Sequence, residues 1–62
     1  MNIIIDPRNI DAILIVETDR AYLLNCEWDE VWFPKSEVNY DEGLQELEAP
    51  LWLLKEKFPG EY

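Results

Sequence analysis

The chain has 62 residues, with 14 acids against five bases, one cysteine and no histidine, for a net charge of −9. This length predicts a single domain over residues 1–62. The lone Cys26 excludes an intramolecular disulfide, and one thiol without imidazoles excludes a zinc site of the Cys/His kind. The chain is therefore expected to stand on packing or on a partner, and its three tryptophans and 48% hydrophobic residues supply a core.

Along the chain, Met1 to Ile5 is apolar and β-branched, and Asp6-Pro7-Arg8-Asn9 reads as a turn. Ile10 to Thr18 is the clearest strand. Its run Ala12-Ile13-Leu14-Ile15-Val16 predicts a central position with both faces at least partly covered. Thr18-Asp19-Arg20 is a turn, and Ala21 to Cys26 is a second strand joined to the first as an antiparallel hairpin. Cys26 reads as a small buried hydrophobe. Glu27 to Glu30 is the next turn, and it lacks the Asn-Gly or Asp-Gly pair of the tightest hairpins.

"EVWFP" is the third strand, with Val31 and Phe33 on one face and Trp32 on the other. "KSEVNY" continues as a short fourth strand beyond a corner at Pro34, and Asp41-Glu42-Gly43 is a polar turn. "LQELEA" has two readings. Asp41 could cap a short helix, or the alternation of Leu47 with Ala49 makes a fifth strand, which is the reading preferred. The last element is a helix over about 50–58. Pro50 suits its first position, and Leu51, Leu54 and Phe58 form its buried stripe. Glu48 near its start and Lys55 and Lys57 near its end follow the helix dipole, and Pro59-Gly60 ends it. Trp52, one place off the stripe, is assigned to the core. The fold class is mainly β, in the α+β sense. Four or five antiparallel strands over about 2–49 make a small, strongly bent sheet or open SH3/OB-like barrel, with one C-terminal helix.

The residue inventory argues against catalysis. Histidine is absent, and adjacent Lys35 and Ser36 would point to opposite faces of a strand, so no nucleophile–base pair presents itself. The acids of "NYDEGLQELE" lack the spacing of a calcium loop, and two isolated glycines make no phosphate-binding loop. No catalytic residue, metal ligand or cofactor is expected. Direct nucleic-acid binding is disfavoured by the sign of the charge, although Tyr22, Trp28, Trp32 and Tyr40 could stack bases. No apolar run is long enough to span a bilayer and no signal peptide is evident. The expectation is a soluble cytoplasmic protein in a reducing compartment, without membrane contact.

Protein binding remains. The acids gather as Glu27-Asp29-Glu30, as Glu37-Asp41-Glu42, and as Glu46-Glu48. Strand alternation puts Glu46 and Glu48 on one face, opposite Leu47. Spaced carboxylates beside tryptophans suit the arginines of a basic partner, in a groove that otherwise holds phosphates. Trp28, in a turn between acids, is the best exposed anchor. Trp32 divides evenly between anchor and core.

The segments "AILIVET", "EVWFPKSEV" and "LEAPLWLLKEK" resemble a group of very small phage and mobile-element proteins. That group has a strand pair, then a Trp-x-Pro-Lys-Ser segment, here Trp32-Phe33-Pro34-Lys35-Ser36, and a C-terminal Pro-x-Trp-Leu helix, here Pro50-Leu51-Trp52-Leu53. The resemblance spans about residues 10–58 and implies a phage-type small β domain in which the Pro-Lys-Ser corner is structural. The chain departs from it in "MNIIIDPRN" and in its acidity. Small acidic phage proteins include anti-CRISPR and anti-restriction inhibitors, some of which mimic nucleic acid. The expected function is a non-enzymatic inhibitor that binds a basic nucleic-acid-handling protein, such as a CRISPR effector subunit. The alternative is an accessory β domain acting by apolar contacts or as a homodimer.

Overall fold

The apolar run around Ala12 to Val16 does become the central strand, and it organises everything else. A computed structural model describes residues 3–27 and 29–62. In it the chain forms β1 (Pro7–Glu17), β2 (Ala21–Cys26), β3 (Glu30–Pro34), β4 (Asn39–Asp41), β5 (Glu46–Pro50) and α1 (Leu51–Lys57). The strands make one open sheet in the order β3-β2-β1-β5-β4, antiparallel at every pairing. The open bent sheet with one short C-terminal helix is the expected architecture.

β1 is long because it serves two neighbours in succession. Pro7 to Asp11 pair with Pro50 to Glu46 of β5, and Ala12 to Glu17 pair with Cys26 to Tyr22 of β2. Ala12 sits at the handover. Its N–H donates to the Gln45 carbonyl at 2.9 Å, and its carbonyl accepts from the Tyr40 hydroxyl at 2.9 Å. A small side chain suits this crowded point, where Ala12 is 1% exposed. Beyond it the register slips between Leu14 and Val16, a bulge that adds local twist.

Alternation along each strand fills the inner face. Ala12, Leu24, Cys26, Phe33, Val38, Leu47 and Ala49 are buried, and Leu53, Leu54 and Phe58 close over them. The Phe58 ring lies 6.3 Å from Phe33 and 6.5 Å from Tyr62. Burying a side chain of the size of Phe33 or Leu24 contributes about 1.5–3 kcal/mol, which is how a core this small can suffice. Cys26 is buried as expected.

Several expectations need correcting. Pro7-Arg8-Asn9 are strand, not turn. Ile5 and Asp6 make the bend, with Asp6 at φ 54, a conformation that Asp tolerates, and Pro7 tolerates the first strand position. Lys35 to Glu37 are a turn rather than strand. The Glu37 N–H closes on the Pro34 carbonyl at 3.1 Å, Val38 drops into the core, and β4 begins only at Asn39. "LQELEA" resolves into turn and strand: Gln45 turns at φ 52, and β5 then runs through Pro50. Pro50 is thus the residue before α1, not its first. The buried stripe is Leu53, Leu54 and Phe58, with Leu51 only half-buried. Glu48 belongs to β5, and α1 has no acid in its first turn. Trp52 is 54% exposed, because a helix of only seven residues buries one side and Leu53 takes the place assigned to Trp52.

The free edge of β3 is guarded. Lys35 donates to the Arg20 carbonyl and Cys26 to that of Asp29, at the two ends of the β2–β3 ladder. By antiparallel alternation, Val31 and Phe33 direct their main-chain groups at β2, while Glu30, Trp32 and Pro34 turn theirs outward. The Glu30 N–H is already taken by the Asp29 carboxylate at 2.8 Å, and Pro34 has no N–H. Only Trp32 offers a main-chain donor to a further strand, as protection against edge pairing requires.

Candidate protein-binding surface

The outer face of the sheet divides into an acidic half and an apolar half, and β1 runs through both. On the acidic half, cross-strand register stacks Asp11, Glu46 and Asp41 of β1, β5 and β4 in one row. The next row is Asn9, Glu48 and Asn39. Neighbouring strands lie about 4.8 Å apart, and alternate residues along a strand about 7 Å, so the carboxylates form a lattice of fixed spacing. Within it the Asn39 amide donates to Glu48 at 3.0 Å. Asn9, Asn39, Tyr40, Asp41, Glu42, Glu46 and Glu48 rim a hollow of about 420 Å³. Glu27 joins Asp11, Glu46 and Tyr62 around an adjoining one. Like charges directly opposite on a sheet are destabilising, and no lysine or arginine lines either hollow. Among the described residues, no three Asp, Glu, Cys or His side chains come together so as to hold a metal ion.

The structure therefore brings Glu27, Asp41, Glu42, Glu46 and Glu48 to one region. It adds Asp11, which sequence reasoning missed. The signal for Asp11 was its alternation with Ile10 and Ala12, but its neighbours are set by a register that spans the chain. Glu37 does not join them. It lies with Ser36, Pro50, Trp52 and Ile3 to Ile5 around a separate hollow. Glu30 and Asp29 stand at the start of β3. Trp28 lies outside the described residues.

The apolar half belongs to β1, β2 and β3. Val16, Leu23 and Trp32 form one cross-strand row, and Ile13, Asn25 and Glu30 form the next. Ile13 is 51% exposed, Ile15 and Val16 are each 44% exposed, and Trp32 is 46% exposed. The bulge turns the consecutive Ile15 and Val16 both outward, which plain alternation would not do. The outer face of the central strand is thus uncovered over this half, contrary to expectation, and Trp32 is on the surface. At the far end, Lys35 binds Glu17 at 2.6 Å and lies 5.0 Å from the centre of the Tyr22 ring. The Glu17 hydrogen bond, against some desolvation, holds the Lys35 ammonium above its ordinary range.

Compared with known proteins, the chain matches no family model, no curated protein and no solved structure.

Proposed function

We propose that this protein is a non-enzymatic binding module that inhibits a basic, nucleic-acid-handling protein, with its carboxylates standing in for phosphates. The observation that carries this reading is the cross-strand row Asp11–Glu46–Asp41, extended by Glu42, Glu48 and Glu27. Three carboxylates held in line by paired strands cost stability, and a cationic partner recovers that cost. The charge of −9 on so small a surface also steers basic partners from a distance. A subunit of a CRISPR effector is the partner to which the resemblance to small acidic phage proteins leads.

The test is capture from nuclease-treated lysate by the wild type and by the doubly reversed variant Asp41→Lys/Glu46→Lys. Basic nucleic-acid-binding proteins should be retained at low salt, shed at high salt, and lost from the variant while its fold persists. Unchanged capture by the variant would sink the reading. A second reading, an accessory domain of a phage or mobile element acting through apolar contacts, is favoured by the exposure of Ile13, Val16 and Trp32. It predicts capture that survives high salt.

A further inference from the structure

We infer that the outer face of β1, β2 and β3 is the seat of a basic amphipathic helix of the partner protein, packed across the row Val16–Leu23–Trp32. This rests on the reading of the partner as basic, and it supplies the apolar anchor which that reading lacks. A sheet with one apolar face normally buries it against a further layer. The inner face has α1 and the core, but among the described residues nothing covers Ile13, Ile15, Val16 or Trp32 on the outer face. Three strands at about 4.8 Å spacing give a platform about as wide as a helix of 10–12 Å diameter.

The geometry selects among occupants. An added strand is disfavoured because Asp29 and Pro34 guard the β3 edge, leaving the face as the accessible surface. The half-exposed side chains together offer a few hundred Å², against roughly 800 Å² per partner in a standard interface. The remainder has to come from the margin. Glu30 shares the face beside Trp32, with Asp29 and Glu27 beyond it. The other margin is neutral: Glu17 and Lys35 pair with each other, and Asp19 stands beside Arg20. A second copy of the chain would bring a further charge of −9 onto a face whose one charged margin is acidic. A helix whose apolar stripe is flanked by lysine or arginine satisfies both centre and margin. It also leaves the adjoining row Asp11–Glu46–Asp41 free to engage further basic surface of the same partner.

The test uses three probes: a short amphipathic peptide of leucine and lysine, its leucine–glutamate counterpart, and oligolysine matched in charge to the first. In a Trp28→Phe/Trp52→Phe background, Trp32 is the sole indole reporter. The leucine–lysine peptide should shift its emission to the blue and bind at least about tenfold tighter than oligolysine. In the otherwise unaltered chain, Trp32→Ser should abolish that advantage, leave oligolysine binding unchanged, and move the urea midpoint little. Equal binding of the leucine–glutamate peptide, or an unmoved Trp32, overturns the inference. So does a dimer in sedimentation equilibrium that Trp32→Ser dissociates, since the occupant is then a second copy. The two readings fail separately. Loss of the Trp32 response with oligolysine binding still sensitive to Glu46→Lys removes only the helix seat. Insensitivity to Glu46→Lys with the Trp32 response intact removes only the acidic site.

Discussion

The Tyr40 hydroxyl donates a 2.9 Å hydrogen bond to the carbonyl of Ala12, tying the outermost strand to the middle of the central one. β4 has only three residues and one strand neighbour, so this bond and the Tyr22 ring, 5.5 Å from that of Tyr40, fix its position. Burial, the largest influence, holds the hydroxyl above its ordinary range, so it remains a donor throughout the neutral range. Tyr40→Phe is expected to cost about 1–2 kcal/mol, because it strands the Ala12 carbonyl near the core. Equilibrium unfolding in urea reads this directly, with the slope unchanged.

The row Asp11–Glu46–Asp41 sets stability against binding. Neutralising its middle member by Glu46→Gln should raise stability by about 0.5 kcal/mol, and added salt should shrink the gain. The same substitution should weaken retention of basic proteins. A variant that gained stability and kept full binding would remove the acidic face from the interface.

Trp32 and Phe33 are adjacent and should respond oppositely. Phe33 is fully buried, and Phe33→Ala should cost about 3–5 kcal/mol, enough to unfold a domain of this size. Trp32 is 46% exposed on the outer face, and Trp32→Ser should change stability by less than about 1 kcal/mol. Thermal unfolding of the two variants side by side checks the pair.

Cys26 couples stability to alkaline pH. Burial first, and then the Asp29 charge, pushes its thiol up to about 11 from an ordinary value of 9.0. The folded state therefore keeps a proton that the unfolded state releases. The resulting stability, on the order of 2 kcal/mol, is fully present below pH 9 and is lost as the pH rises toward 11. Cys26→Ala should flatten this alkaline loss. Thiol reagents at neutral pH should label the wild type only as fast as it opens.

Much of this was legible where the determinants are local. The alternation of Val31, Trp32 and Phe33 settles which face each takes, and the Ala21–Cys26 strand ends where its turn residues begin. What escaped is non-local. Asp11 meets Glu46 only because Pro7 pairs with Pro50, and no spacing in the sequence encodes that register. Trp52 was misplaced for a related reason. With Leu51, Trp52, Leu53 and Leu54 in succession, helical periodicity allows more than one stripe, and the angle at which α1 leaves β5 decides between them. That angle is fixed by Pro50 and by the Leu51 N–H reaching the Asp6 carbonyl at 3.1 Å.

The divided allegiance of β1 has a kinetic consequence. Its partnership with β2, and that of β2 with β3, joins segments close in sequence, so the three-stranded meander can form by closing short loops. Its partnership with β5 must await the return of the chain from the far side of β4. The rate-limiting barrier to folding should then lie after the meander and before β5 docks. Truncating Leu24 should chiefly slow folding, and truncating Leu47 should chiefly hasten unfolding. Under load or mild denaturant, the acidic half of the outer face would be the first to come apart, while the apolar half keeps its shape.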